Sequence, residues 1–360
     1  MSTALSDLAE SLPVRAADQV PYLELSDDER AEMRRIADGV LDTDTELPLD
    51  QRLQELALLA HEVPHRVRAL LTHFRLTGRP YGGLVLSNLP IEEAAAGPTP
   101  TSYTDVPDSR EADRASAMLL LLGSLLGDPV SYLTQQRGKM VLDLFPIKGH
   151  EHQQLGSSST VNLEWHNEDA FHPLRADWIM LLGLRNHDQV PTTFAPINSV
   201  ALDPKDRQLL SEDRYLILPD ESHTAEFNAS TTGVDKDDWA SEGFRRIAEM
   251  NEVPTPGPVL SGDPEAPFVC IDPAFMPRDL APEALAALDA LISGVDSELR
   301  DVSLAPGELL IVDNKRAVHG RRPFTARYDG TDRWLRRINV MADLRKAEGR
   351  RYSPHGRALV

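Results

Sequence analysis

The sequence predicts a mostly β protein with helical additions, a sandwich or jelly roll behind an N-terminal helical region. Up to about residue 128 apolar residues recur at helical spacing. From about 130 the texture changes to short strand-like runs separated by turns, the pattern of a sandwich or jelly roll. At 360 residues the chain can bury a large core, and one elaborated β domain with a helical N-terminal portion accounts for it.

The elements follow in order. Ser26 precedes DDERAEMRRIADGVL as a helix N-cap with acids in the first turn. A second helical stretch, LPLDQRLQELALLAHEVPHRVRALLTHFRL, breaks at Pro64. GGLVLSNL (82–89) reads as a strand, and 94–109 as a Pro/Ser/Thr loop. EADRASAMLLLLGSLLG (111–127) is a helix stopped by Gly127. Seven strand-like runs follow: KMVLDLF, STVNLEWH, ADWIMLLGLR, RYLILP, PFVCID, GELLIVDN and WLRRINVMADL. Two helices interrupt them, at 241–250 and 282–295, and RKAEGRRYSPHGRALV reads as a loose tail. The expected organisation is one domain over 1–345, with a helical part at 26–128, a β core at 130–342, and a tail at 346–360.

Net charge is −20, which argues against nucleic acid or an anionic membrane as partner. Cys270 is the only cysteine, so no intrachain disulfide forms and a reducing cytoplasm is the expected compartment. No apolar run reaches the ~18 residues of a membrane span. The start, MSTALSDLAESLP, lacks the basic flank and apolar core of a signal peptide.

The chemistry concentrates in LEWHNEDAFHP (163–173) and in VDNKRAVHGRRPFTARYDGTDRWLRRIN, some 150 residues on. The first holds His166 and Glu168, which strand alternation puts on one face while Asn167 faces the other way. The second holds His319, with Arg333 and Arg337 at 14 and 18 positions beyond it. A His-x-Glu pair alone says little in a chain with 11 His and 57 acidic residues. The combination says more. Two imidazoles and a carboxylate are the ligand set of a non-haem Fe(II) oxygenase. A guanidinium fork is what grips a 2-oxoglutarate carboxylate in two places.

Four blocks, 134–152, 157–179, 218–223 and 313–339, resemble the clavaminate synthase-like branch of the Fe(II)/2-oxoglutarate oxygenases. Within it the resemblance is to the free basic amino acid hydroxylases related to the arginine β-hydroxylase of viomycin biosynthesis. It implies a double-stranded β-helix core, with Fe(II) as the metal and 2-oxoglutarate and O2 as cosubstrates. It implies His166, Glu168 and His319 as iron ligands, and a carboxylate in that set implies hydroxylation rather than halogenation. Arg333 is implied for the distal carboxylate of 2-oxoglutarate, with Thr193, or else Thr192, as the hydroxyl contact. Gln135, Glu168 and Arg337 are implied for the amino acid end of the substrate, with a second cosubstrate contact as the alternative for Arg337, and Asp220 and Asp272 for its cationic end. Residues 219–245 resemble an active-site lid.

Where the arginine enzyme has a second acid two residues after the position of Asp272, this chain has Ala274. One carboxylate fewer suits a compact ammonium better than a guanidinium fork, so lysine is expected ahead of arginine. Glu221 is the residue that could replace the missing acid. The expected reaction is hydroxylation at C3, or at C4, releasing succinate and CO2. A cyclic guanidino amino acid or citrulline, desaturation, and a non-enzymatic binding protein are the alternatives. The expected partner is a free amino acid, and a homodimer is the assembly entertained.

Overall fold

A computed structural model of the chain describes residues 12–43, 47, 51–233, 240–352 and 356–360. The start of the chain and residues 234–239 of the expected lid lie outside them. Ser26 caps helix α1 (Asp27–Leu41) through a capping box with Glu29, which satisfies two of the backbone N–H groups that a helix start leaves over. Helices α2 (Leu53–Leu59) and α3 (His65–Thr77) are divided at Pro64, as the missing N–H requires. Helix α4 (Arg110–Leu126) ends before Gly127. The shorter helices are α5 (Pro204–Leu210), α6 (Ala225–Thr232) and α7 (Ser241–Glu252); the last is α8 (Pro282–Glu298).

The strands are β1 (Tyr22–Glu24), β2 (Gly83–Ser87), β3 (Asp128–Tyr132), β4 (Leu142–Leu144), β5 (Leu163–His166), β6 (Trp178–Arg185) and β7 (Thr192–Pro196). They continue with β8 (Leu260–Asp263), β9 (Ala266–Val269), β10 (Arg300–Val302), β11 (Leu309–Asp313), β12 (Ala317–Arg321), β13 (Trp334–Met341) and β14 (Ala358–Leu359). One large sheet runs β1-β2-β11-β6-β13-β3-β14, with β4 also paired to β13. A smaller sheet runs β10-β7-β12-β5, and β8 and β9 form a hairpin.

The apolar clusters define the layers. The outer face of the large sheet packs on α1–α4, with Met180, Leu182, Ile338 and Val340 against the leucines of α4. Gly123 lets that helix sit close, since a Cβ there would come 2.6 Å from Ile338 Cδ1. Between the sheets lie Ile179, Leu181, Leu310 and Leu335 from one side and Phe194, Val302 and Ala317 from the other. The outer face of the small sheet, with Trp165, Ala195 and Val318, is covered by α5 and α8. With both its faces covered, all of β6 is buried, which is why its sequence is an unbroken apolar run. No helix among the described residues is long and apolar enough to cross a membrane.

Two expectations need correction. RYLILP is not a strand: Tyr215 makes a single bridge to Gly257 and the run otherwise carries no ladder. The chain end is not loose. Its strand β14 adds in parallel to β3, and Leu359 is buried there. Within the expected lid, residues 219–233 contain helix α6, opened by Thr224 as its N-cap.

Candidate active site

The cavity lies between the two sheets, with Arg333 and Arg337 from the large sheet facing His166, His319 and Thr192 from the small one.

His166 on β5 pairs directly with His319 on β12, so both rings project to the same inner face, with centroids 4.7 Å apart. Gly320 makes this close pairing possible: a Cβ there would sit 2.5 Å from Leu163 O. His166 Nδ1–H donates to Glu164 O at 2.8 Å, which leaves Nε2 as the free nitrogen. Glu168 Oε2 lies 3.8 Å from His166 Nε2 and 3.3 Å from His319 Nε2, and it has no hydrogen-bond partner. The donor atoms of the three residues all lie within 4.8 Å of one another. Glu168 Oε1 pairs with Arg337.

The protonation states suit a metal. Burial would raise the Glu168 pKa, but Arg337 and the two imidazoles outweigh it and hold the carboxyl well below its usual range. Burial, with His166 alongside, pushes His319 down to about 4, so that ring is neutral. His166 is held at about 9 against burial by Glu168 and Asp272, which mark a place where positive charge is favoured. An orphaned buried carboxylate oxygen, a neutral imidazole and a second nitrogen in strongly negative surroundings fit a divalent cation. Two His and one carboxylate fit Fe(II) with open positions.

Two asparagines that the sequence did not mark hold this group together. Asn314 Oδ1 accepts from Glu168 N at 2.7 Å, and its Nδ2 donates to Glu168 O and Ala176 O, both at 3.0 Å. Asn167 Nδ2 donates to Asn314 O at 2.8 Å and Ala317 O at 2.9 Å. Asn167 also exchanges two 2.9 Å bonds with Ile271, through N to Ile271 O and through Oδ1 from Ile271 N. Both side chains are fully buried and satisfied, so the loop carrying Glu168 is clamped to the approach to His319 and to the segment before Asp272.

Arg333 and Arg337, four apart around β13, share the inner face with Leu335, while Trp334, Arg336 and Ile338 point to the helices. Arg333 Nη2 donates to Thr192 Oγ1 at 2.9 Å. Burial and the charge of Arg321 push the Arg333 guanidinium down to about 9. The preference for Thr193 is corrected by strand phase. Thr192 and Phe194 face inward, whereas Thr193 and Ala195 face the outer layer, with Thr193 beside Gly320.

Gln135 lines the cavity after β3. Its Nε2 donates to Asp169 Oδ1 at 3.1 Å and meets His223 Nε2 at 2.9 Å, and its Oε1 accepts from Arg337 at 3.4 Å. His223, in the turn before α6, is fully buried; it bonds Asp169 Oδ1 at 2.8 Å and Thr134 Oγ1 at 2.6 Å. Nothing in the sequence beyond its place in LPDESH pointed to it. Asp169 adopts φ +50, a left-handed conformation held by these partners.

Asp220 lines the cavity and caps the turn Glu221–His223 by accepting Ser222 N at 2.8 Å. Asp272 stands behind that lining. Burial and the charge of Asp220 raise its carboxyl to about 6, with His166 opposing. Ala274 and Glu221 are both exposed. His172 is structural: its ring packs on Tyr132 at 5.0 Å, and Nδ1 accepts from Leu174 N at 3.1 Å.

Comparison with known proteins agrees with this geometry. The model of the family described as "Taurine catabolism dioxygenase TauD, TfdA family" matches residues 104–339. An enduracididine beta-hydroxylase of Streptomyces hygroscopicus is 38% identical over 94% of this chain and 99% of its own. An L-ornithine/L-arginine 3-hydroxylase of Catenulispora acidiphila is 38% identical over 84% of this chain and 88% of its own. The non-heme iron oxygenase OrfP, solved with Fe, succinate and (3S)-hydroxy-L-Arg, superposes with TM-score 0.87 at 37% identity, covering 94% of this chain and all of that one. The chain therefore belongs to the TauD/TfdA family and is an Fe(II)- and 2-oxoglutarate-dependent dioxygenase of the amino acid hydroxylase kind.

Proposed function

We propose that the chain hydroxylates a free basic L-amino acid at C3, in a single catalytic domain whose two facing sheets form a double-stranded β-helix. The observation that carries this is the distribution of charge around the His166, Glu168 and His319 donors. Arginines line the large-sheet wall, and Asp220 lies on the lid side with Asp272 behind it. An amino acid with a cationic side chain is complementary to that arrangement, because a cation taken out of water needs carboxylates to meet it.

In this reading His166, Glu168 and His319 hold Fe(II). With 2-oxoglutarate bound, the metal supplies the oxidising power that puts one oxygen atom of O2 into a substrate C–H and the other into succinate, with loss of CO2. The chain's residues do the positioning. Arg333, oriented by Thr192, receives the distal carboxylate of 2-oxoglutarate. Gln135, Glu168 and Arg337 receive the amino acid end, and Asp220 and Asp272 the cationic end. Helix α6 brings Phe227 to the cavity wall, where it helps exclude water. Which C–H reacts is decided by where these contacts hold the substrate.

Arginine and related guanidino amino acids take first place. Ala274 is exposed, so an acid missing there subtracts little from the cavity. The relatives named for enduracididine and for ornithine and arginine weigh the same way. Lysine is the second reading, supported only by the single carboxylate behind Asp220. The test is succinate release with Fe(II), 2-oxoglutarate and ascorbate against each free basic amino acid, with product masses. A product one oxygen heavier from arginine or a cyclic guanidino relative is expected. Such a product from lysine alone reverses the order, and succinate release with no basic amino acid rejects the substrate class.

A further inference from the structure

Arg321, two residues after His319, is buried, lines the same cavity as Arg333, and has no anionic partner among the described residues. Its donors go to neutral oxygens: Ser158 O, Ser158 Oγ at 2.9 Å and Val161 O at 3.1 Å. Its guanidinium lies 5.0 Å from the Phe324 ring centroid, and its Nε is buried without a partner. These contacts hold the side chain in place and cancel none of its charge.

Arg333 is in the same condition. It donates to the Thr192 hydroxyl, its Nε is buried and unpartnered, and no carboxylate among the described residues pairs with it. The third arginine of the wall, Arg337, differs because Glu168 neutralises it. Two adjacent buried cations repel each other and are tolerated in a fold when an anion from outside completes them.

We propose that Arg321 is a second cationic residue of the pocket for the distal carboxylate of 2-oxoglutarate, acting with Arg333 through its charge. This rests on the reading that the distal carboxylate sits at Arg333 and Thr192. Each arginine then has its own task. Arg333 offers free donors to the carboxylate. Arg321, its hydrogen bonds already engaged with the 158–161 segment, contributes positive potential at close range in surroundings where water screens little. Its anchoring also fixes that segment, whose neighbours Gly156 and Ser157 line the cavity.

The experiment is anaerobic calorimetric titration of the Fe(II)-loaded protein with two ligands, 2-oxoglutarate and 2-oxobutyrate. Both present the same 2-oxo acid, but only the first has a distal carboxylate. R321K keeps the charge and is expected to bind 2-oxoglutarate within about threefold of the parent, whereas R321Q, neutral but still able to bond the segment, is expected to bind it about tenfold or more weakly. Both variants are expected to bind 2-oxobutyrate as the parent does. The proposal is overturned if R321Q keeps parental affinity for 2-oxoglutarate. It is equally overturned if R321K loses as much as R321Q, or if R321Q weakens both ligands alike, since either result marks Arg321 as a structural clamp. R321M carries the same comparison should R321Q not fold. The underlying reading is tested separately by R333M: if that variant still prefers 2-oxoglutarate over 2-oxobutyrate as the parent does, the distal carboxylate lies elsewhere.

Discussion

At one end of the cavity the cationic groups stand on or directly before sheet strands: Arg321 in β12, Arg337 in β13 and Arg333 just ahead of it. Both strands are buried along their whole length. At the other end, Asp220 sits on a short 3-10 turn and Asp272 at the start of another, outside either sheet. Strands β12 and β13 are paired on both sides, so the backbone that carries this end is rigid. The acids depend on turns, which tolerate substitution. On the proposed function, the difference puts the shared chemistry of the site in the rigid framework and its selectivity in the connections.

The predictions test that division, beginning with the largest effect. H319A removes a metal donor from the framework, so Fe(II) affinity should fall by more than about a hundredfold and turnover should vanish, read by anaerobic metal titration and succinate release. Unchanged iron binding would remove His319 from the metal set. N314A leaves the donors intact but releases the loop that presents Glu168. Iron affinity should drop roughly ten- to a hundredfold, as for lost supports of metal ligands. The buried backbone groups left unpaired should also cost about 1–3 kcal/mol of stability in denaturant unfolding.

D220N acts at the other end. It should raise KM for the basic amino acid by roughly tenfold, with KM for 2-oxoglutarate unmoved, because one charge-assisted contact is worth about 1.5–3 kcal/mol. A matching rise for 2-oxoglutarate would erase the distinction between the ends. The smallest effect separates two neighbours. T192V should raise KM for 2-oxoglutarate severalfold, on the order of 0.5–1.5 kcal/mol for a neutral hydrogen bond, while T193V should leave it alone.

The sequence disclosed most where periodicity and chemistry coincide. His166 and Glu168 were legible as a His-x-Glu pair joined to a distant His and two Arg, although β5 ends at His166 and Glu168 sits in the turn after it; the helices were legible because their caps and breakers are local. Thr192 and Thr193 were not separable, since choosing between them needs the phase of β7, and TTFAP does not alternate polar with apolar. Strand β12, which carries His319, was hidden by its brevity and its glycine. The end of the chain looked loose because the pairing of β14 with β3 is set more than 200 residues away. Asn167 and Asn314 were illegible for a further reason. Their work is done by amide groups on backbone atoms up to 150 residues distant, and no spacing announces that.

The two bonds between Asn167 and Ile271 have a consequence for how such an enzyme can change. They fasten the main chain before Asp272 to the main chain of the metal loop, so the two cannot drift apart, yet they involve no side chain from 272 onward. The side chain at 272, the first past that fastening, is therefore tied to the metal loop through the main chain alone. A different residue can be tried there without rebuilding the iron site.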